Sequence, residues 1–172
     1  MTFSLKDFTI ADGLWGLFDP SGQLPRDPAT MTVDLSGKAK LLFDYLDPAQ
    51  SAILEQAGTA LGELEALTLN ELTVDVAGAR LTGQGDFTFD NSDTVTFSGF
   101  PKPQGAVDLQ LLGGNGLLDN LVSIGLLPED QALGARLMMG LFARPGEGED
   151  AFVSKIEVND QGHVLANGQR LQ

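Results

Sequence analysis

The sequence predicts an α+β protein: a curved, mainly antiparallel β-sheet with about three helices packed on one side. Three observations predict it. Apolar and polar residues alternate through most of the chain, glycine and acidic residues punctuate the alternating runs, and helical spacing is confined to a few segments. No strand-helix-strand repeat of the kind that builds a parallel sheet is evident.

Taken in order, Phe3 to Ile10 alternates with a change of phase at Lys6-Asp7. Gly13-Leu14-Trp15-Gly16-Leu17-Phe18 reads as an apolar turn that places the lone tryptophan in the core. Met31, Val33 and Leu35 alternate with Thr32, Asp34 and Ser36, which is the pattern of a half-buried strand. Asp47-Pro48 is a helix start, a capping carboxylate before proline, and Ile53, Ala57 and Leu61 follow at helical spacing up to Gly62. Leu67 and Leu69 then alternate in one phase and Leu72, Val74 and Val76 in the other, so a bulge is expected near Asn70-Glu71.

Ala77-Gly78 closes a hairpin into Ala79 to Asp90, where Leu81, Phe87 and Phe89 share a face with Gly83 and Gly85. Val95 and Phe97 suggest a short strand, and Val107, Leu109 and Leu111 a longer one. Gly113-Gly114-Asn115-Gly116 turns into a helix carrying Leu117, Leu118, Leu121 and Val122. Pro128 opens another, with Leu133, Leu137, Met138, Leu141 and Phe142 in a wide apolar stripe that ends at Arg144-Pro145-Gly146. These two helices are expected to cover one sheet face. Phe152 to Val158 pairs with Val164 to Leu171 through a turn at Asn159-Asp160-Gln161-Gly162-His163.

A chain of 172 residues reads as a single domain over 1–172, long enough for a core without disulfides, and it has no cysteine. With 24 acidic against 10 basic residues the net charge is −14 and the pI near 4.1. Phosphate backbones and anionic membrane surfaces repel such a chain, which disfavours nucleic acid and electrostatic docking on lipid headgroups. No apolar run reaches the roughly 18 residues of a transmembrane helix. Met1-Thr2-Phe3-Ser4-Leu5-Lys6-Asp7 lacks the basic start and apolar segment of a signal peptide.

Residues equipped for chemistry are few. The single histidine, His163, sits at a hairpin tip, and a Ser-His-Asp arrangement would need it as its base. Gly113 to Gly116 precedes a helix N-terminus, where backbone N–H groups can hold an anion, but no Lys-Ser/Thr follows, so a strand-to-helix turn is the plainer reading. Asp90-Asn91-Ser92-Asp93 and Asn159-Asp160 offer oxygen ligands without the spacing of a calcium loop. Glu147, Glu149 and Asp150 read as a solvated loop. No catalytic residue, metal ligand or cofactor is expected. The candidate ligand-binding residues are the apolar Leu81, Phe87, Phe89, Val107, Leu109, Leu111, Leu137 and Phe142, which would line the concave face of the sheet beneath the helices or else fill a solid core.

Three stretches carry a resemblance: Leu14 to Pro20 with Leu24-Pro25-Arg26-Asp27-Pro28, Gly113 to Asp119, and Gly125 to Gln131 running on to Met138 through Gly146. With the end Asn159 to Gly168, they resemble the C-terminal part of an uncharacterised family, a domain of unknown function, of alphaproteobacterial envelope proteins. The resemblance implies a fragment of a longer protein whose signal peptide is missing here and whose location is periplasmic. It carries no catalytic motif. The function expected is non-enzymatic: a module that binds an apolar ligand such as lipid, or a structural envelope protein that docks another protein and holds no small ligand. A carboxylate-dependent hydrolase is the distant alternative.

Overall fold

The computed structural model describes residues 1–42 and 62–171; the helix expected over 48–61 lies outside the described residues. Among the described residues nine strands form one open antiparallel sheet. In chain order the elements are β1 (Thr2–Phe8), α1 (Asp12–Phe18), β2 (Ala29–Leu41), β3 (Gly62–Val76), β4 (Ala79–Asp90), β5 (Lys102–Leu112), α2 (Gly114–Ser123), α3 (Glu129–Phe142), β6 (Arg144–Pro145), β7 (Ala151–Val158), β8 (Val164–Ala166) and β9 (Gln169–Arg170). The strand order is β1-β2-β3-β4-β5-β7-β8-β9, and the two-residue β6 pairs with β7. β1 through β5 follow one another in space as in sequence. The helical excursion α2–α3 separates β5 from its neighbour β7.

The register explains the shifting phases of the sequence. Leu67 pairs with Phe87 and Leu69 with Gly85, whereas Leu72 pairs with Gly83 and Val74 with Leu81, the register slipping between Leu69 and Leu72. The expected bulge at Asn70-Glu71 is present, and it puts both phases on one face. A second slip between Leu5 and Phe8 does the same for β1, with Asp7 at φ 53°. Since directly paired residues share a face, Phe3, Leu5, Met31, Val33, Leu72, Val74, Leu81, Leu109, Leu111, Phe152 and Ile156 all lie on one apolar side. The other side carries Thr32, Asp34, Thr73, Asp75, Arg80, Thr82, Gln84, Asp108, Gln110 and Lys155.

That apolar side is incompletely covered. Among the described residues no large side chain is fully buried, and the buried apolar residues are Leu24, Ala79, Ala132, Ala151, Val158 and Ala166. α3 packs against the β7 part of the sheet and α2 against β4. Toward β1 no described element covers the face: Phe3, Leu5, Phe8 and Met31 are exposed.

Two local expectations need correction. Residues 91–100 form turns in place of a strand over Val95 and Phe97, because Asp93 turns the chain by accepting from the Val95 and Thr96 backbone N–H groups, and Val95 is left 89% exposed. The apolar turn at residues 13–18 is a short helix, α1. Its Trp15 is half-exposed, with Arg26 stacked 5.7 Å from the ring centroid and bonded to Asp12. The loop leaving α1 is closed by the buried Asp19, whose carboxylate accepts from the N–H groups of Gln23 (2.9 Å) and Leu24 (2.8 Å).

Candidate ligand-binding groove

Between α3 and the apolar sheet face lies a groove of about 650 Å³. Its floor is Leu81 on β4, Leu109 and Leu111 on β5, and Phe152 and Ile156 on β7; its roof is Ala135, Met138, Met139 and Phe142 on α3; Val164 and Leu171 close one side. The floor is continuous because Leu81 pairs with Leu111, Leu111 with Phe152 and Leu109 with Ser154. Gly83, opposite Leu109, leaves room for that side chain: a Cβ at that position would lie 2.6 Å from Leu109 Cδ2. Ser154 is the one polar side chain among the lining residues, and its hydroxyl donates to the Phe142 carbonyl at 2.6 Å. The groove therefore has no free hydrogen-bonding group and suits a hydrocarbon, whose transfer from water needs only apolar contact.

Polar residues hold the roof in place. Asp150, just before β7, accepts from the backbone N–H groups of Asn115 (3.1 Å) and Gly116 (2.9 Å) and from Asn115 Nδ2 (2.8 Å). It thereby fills the anion position at the N-terminus of α2 with a carboxylate of the chain itself. The turn reading of Gly113 to Gly116 is the one this geometry supports, and Asp150 is a cap rather than part of a merely solvated loop. Arg136 on α3 bonds Asp119 at 2.6 Å and Asn115 Oδ1 at 3.1 Å, joining α3 to the capped α2. At the C-terminal end of α3 the Phe142 carbonyl also accepts from Asn167 Nδ2 at 2.8 Å. Asn167 is fixed in turn by Lys155, whose backbone N–H donates to Asn167 Oδ1 at 2.9 Å and whose carbonyl accepts from the Asn167 N–H at 2.7 Å.

Of the residues singled out from sequence, Leu81, Leu109, Leu111 and Phe142 come together in this groove. Phe87, Phe89 and Val107 share its face but lie further along the sheet, beyond α3: Phe87 pairs with Gly105, Phe89 with Pro103 and Val107 with Gly85. The Phe89 ring meets Phe100 edge-on at 6.1 Å. Leu137 is misplaced by the sequence reading. The helix buries the row that contains Ala132 and Met139, which turns Leu137 outward at 67% exposure. Sequence reasoning missed Asp150, Ser154, Arg136 and Asn167; only the Asn167-Gly168 dipeptide carries a local signal, that of a turn.

The opposite, polar face carries a depression of about 510 Å³ lined by Asn70, Glu71, Gln84, Asp108, Arg144 and Lys155, among others. Among the described residues no group of three or more histidine, cysteine or acidic side chains is placed to hold a metal ion. Asp90 and Asp93, the calcium candidates, are engaged locally. Asp90 accepts from Ser92 and Asp93 from Thr96, and both carboxyls are held below their ordinary value, chiefly by those bonds. No described helix is long and apolar enough to cross a membrane.

Comparison with known proteins matches residues 1–168 to a family model described as an uncharacterized protein conserved in bacteria (DUF2125). No curated protein and no solved structure matches.

Proposed function

Starting from the premise that this chain belongs to the conserved bacterial family DUF2125, we propose that it is a non-enzymatic module that binds an apolar ligand, such as a lipid acyl chain, in the groove beneath α3. One observation carries the reading: a groove of about 650 Å³ whose walls are apolar and whose single hydroxyl is already bonded to the protein. A solid core would have brought α3 down onto Leu109 and Leu111; here the helix is held at its middle by Arg136 and at its C-terminal end by the Phe142 carbonyl, with a groove between it and the sheet. Envelope location, in the periplasm, belongs to the same proposal and rests on the resemblance seen in the sequence.

Native mass spectrometry of the purified chain, before and after organic extraction, tests it. The expected result is a stoichiometric apolar adduct that extraction removes, and that the groove-filling variant Leu109→Trp no longer carries. A ligand-free mass under gentle conditions, unchanged after incubation with fatty acid, overturns it. A second reading, a structural envelope protein that docks another protein without a small ligand, is favoured by the open apolar strip of Phe3, Leu5, Phe8 and Met31.

A further inference from the structure

α3 is apolar on two sides. Its inner row faces the sheet, with Ala132 fully buried, while Leu133, Leu137 and Leu141 stand outward one turn apart at 57, 67 and 53% exposure, beside Met138 at 54%. A helix on a sheet normally presents charged or polar groups to water on that side. At its start Leu133 shares a surface depression with Glu129, Asp130 and Arg136, while from Leu137 to Leu141 the ridge is apolar, and it exposes on the order of 400 Å² of apolar side chain, as much as the largest patch on a typical monomer. The acidic residues of the helix, Glu129 and Asp130, are confined to its first turn, and Arg136 is paired with Asp119.

Met138 belongs both to the roof of the groove and to the ridge. The outer surface is thus continuous with the groove, and a hydrocarbon chain entering under α3 passes beside the ridge. The groove holds no group to receive a polar head, so the head of such a ligand stays outside it, as it would at a lipid surface.

We propose that the outer ridge of α3 is a docking surface for a neutral, zwitterionic lipid surface, into which Leu133, Leu137, Met138 and Leu141 insert to bring the groove against the acyl chains. The inference rests on the groove reading above. Charge selects the kind of surface: the Arg136 beside Leu133 is already paired with Asp119, and a chain of net charge −14 gains nothing from anionic lipid, so insertion of apolar side chains supplies the attraction.

The test is flotation with dioleoylphosphatidylcholine vesicles, run beside uptake of a fluorescent fatty acid. The chain is expected to float with the vesicles, with no gain from added phosphatidylglycerol and little effect of salt. The triple variant Leu133→Gln, Leu137→Gln, Leu141→Gln, at exposed positions where glutamine sustains a helix, is expected to bind vesicles roughly tenfold or more weakly. It should keep the wild-type melting temperature and fatty-acid uptake. Flotation by the triple variant equal to wild type overturns the proposal. So does a soluble wild type that forms a concentration-dependent dimer broken by the same substitutions, which would make the ridge an interface between copies. Flotation without fatty-acid uptake removes the groove reading and leaves the docking surface; uptake without flotation does the reverse.

Discussion

Replacing Asp150 by alanine should unseat the roof of the groove. The carboxylate accepts three hydrogen bonds from Asn115 and Gly116 at the start of α2, and α2 anchors α3 through Arg136. Loss of a helix-capping side chain costs about 1 kcal/mol, up to about 2. Asp150 also sits at φ 48°, in the left-handed region, where alanine pays about another 1 kcal/mol. The Asp150→Ala variant should therefore lose about 2–3 kcal/mol. With a urea m-value of about 2 kcal/mol/M, its unfolding midpoint should fall by about 1–1.5 M. Asp150→Asn keeps an acceptor oxygen and a residue that tolerates left-handed backbone, so it should lose only about 0.5–1 kcal/mol, mostly from removing a negative charge at the helix N-terminus. Urea melts followed by circular dichroism measure both. Midpoints of the two variants within about 0.3 M of wild type, or asparagine as damaging as alanine, would refute the capping role.

Other perturbations separate covered from open parts of the apolar surface. Leu137→Ala should change stability by no more than about 0.5–1 kcal/mol because its side chain is already in water, whereas Phe87→Ala, half-buried on the sheet, should cost about 1.5–2.5 kcal/mol in the same melts; equal losses would contradict the side of α3 assigned to Leu137. Gly105→Ala should destabilise by more than about 2 kcal/mol or prevent folding, since a Cβ there would lie 2.0 Å from the Asp86 carbonyl oxygen, and a normal melting curve would show the β4–β5 register to be wrong. Burial of Asp19 raises its pKa, but bonds from Leu24, Gln23, Ser21 and Gly22 outweigh that and hold it below the ordinary 3.8. A folded pKa below the unfolded one gives stability that is present above the unfolded value and lost as pH falls through the folded one. An acid titration should therefore show a transition below about pH 4 that flattens in Asp19→Asn, and an unchanged acid limb would exclude the contribution.

Much of the sheet was legible because alternation reports a half-buried face directly. Even the bulge at Asn70-Glu71 could be read, since two runs of opposite phase can share one apolar side only if a residue is inserted between them. Val95 and Phe97 misled because two apolar residues at alternate positions also occur in a turn, and there Asp93 hydrogen-bonds the backbone before any strand partner does. α1 was missed because its seven residues include two glycines and no side-chain cap.

For the groove, period and pairing placed Leu81, Leu109 and Leu111 on one surface, but nothing in the sequence told which arc of α3 would face them. An apolar stripe as wide as Leu133 to Phe142 fits two rotations of the helix, and the choice falls to distant polar bonds: Arg136 to Asp119 and Asn115, and Asn167 and Ser154 to the Phe142 carbonyl. Long-range side-chain bonds of this kind leave no periodic trace.

The most direct test of the groove is photo-crosslinking of the delipidated chain with a diazirine-bearing fatty acid, followed by peptide mapping. Adducts on the peptides of β5, β7 and α3 that contain Leu109, Phe152 and Met138, suppressed by unlabelled palmitate and absent from Leu109→Trp, are the predicted result. Labelling spread over the polar face or along the open β1–β2 strip, unaffected by palmitate, would contradict it.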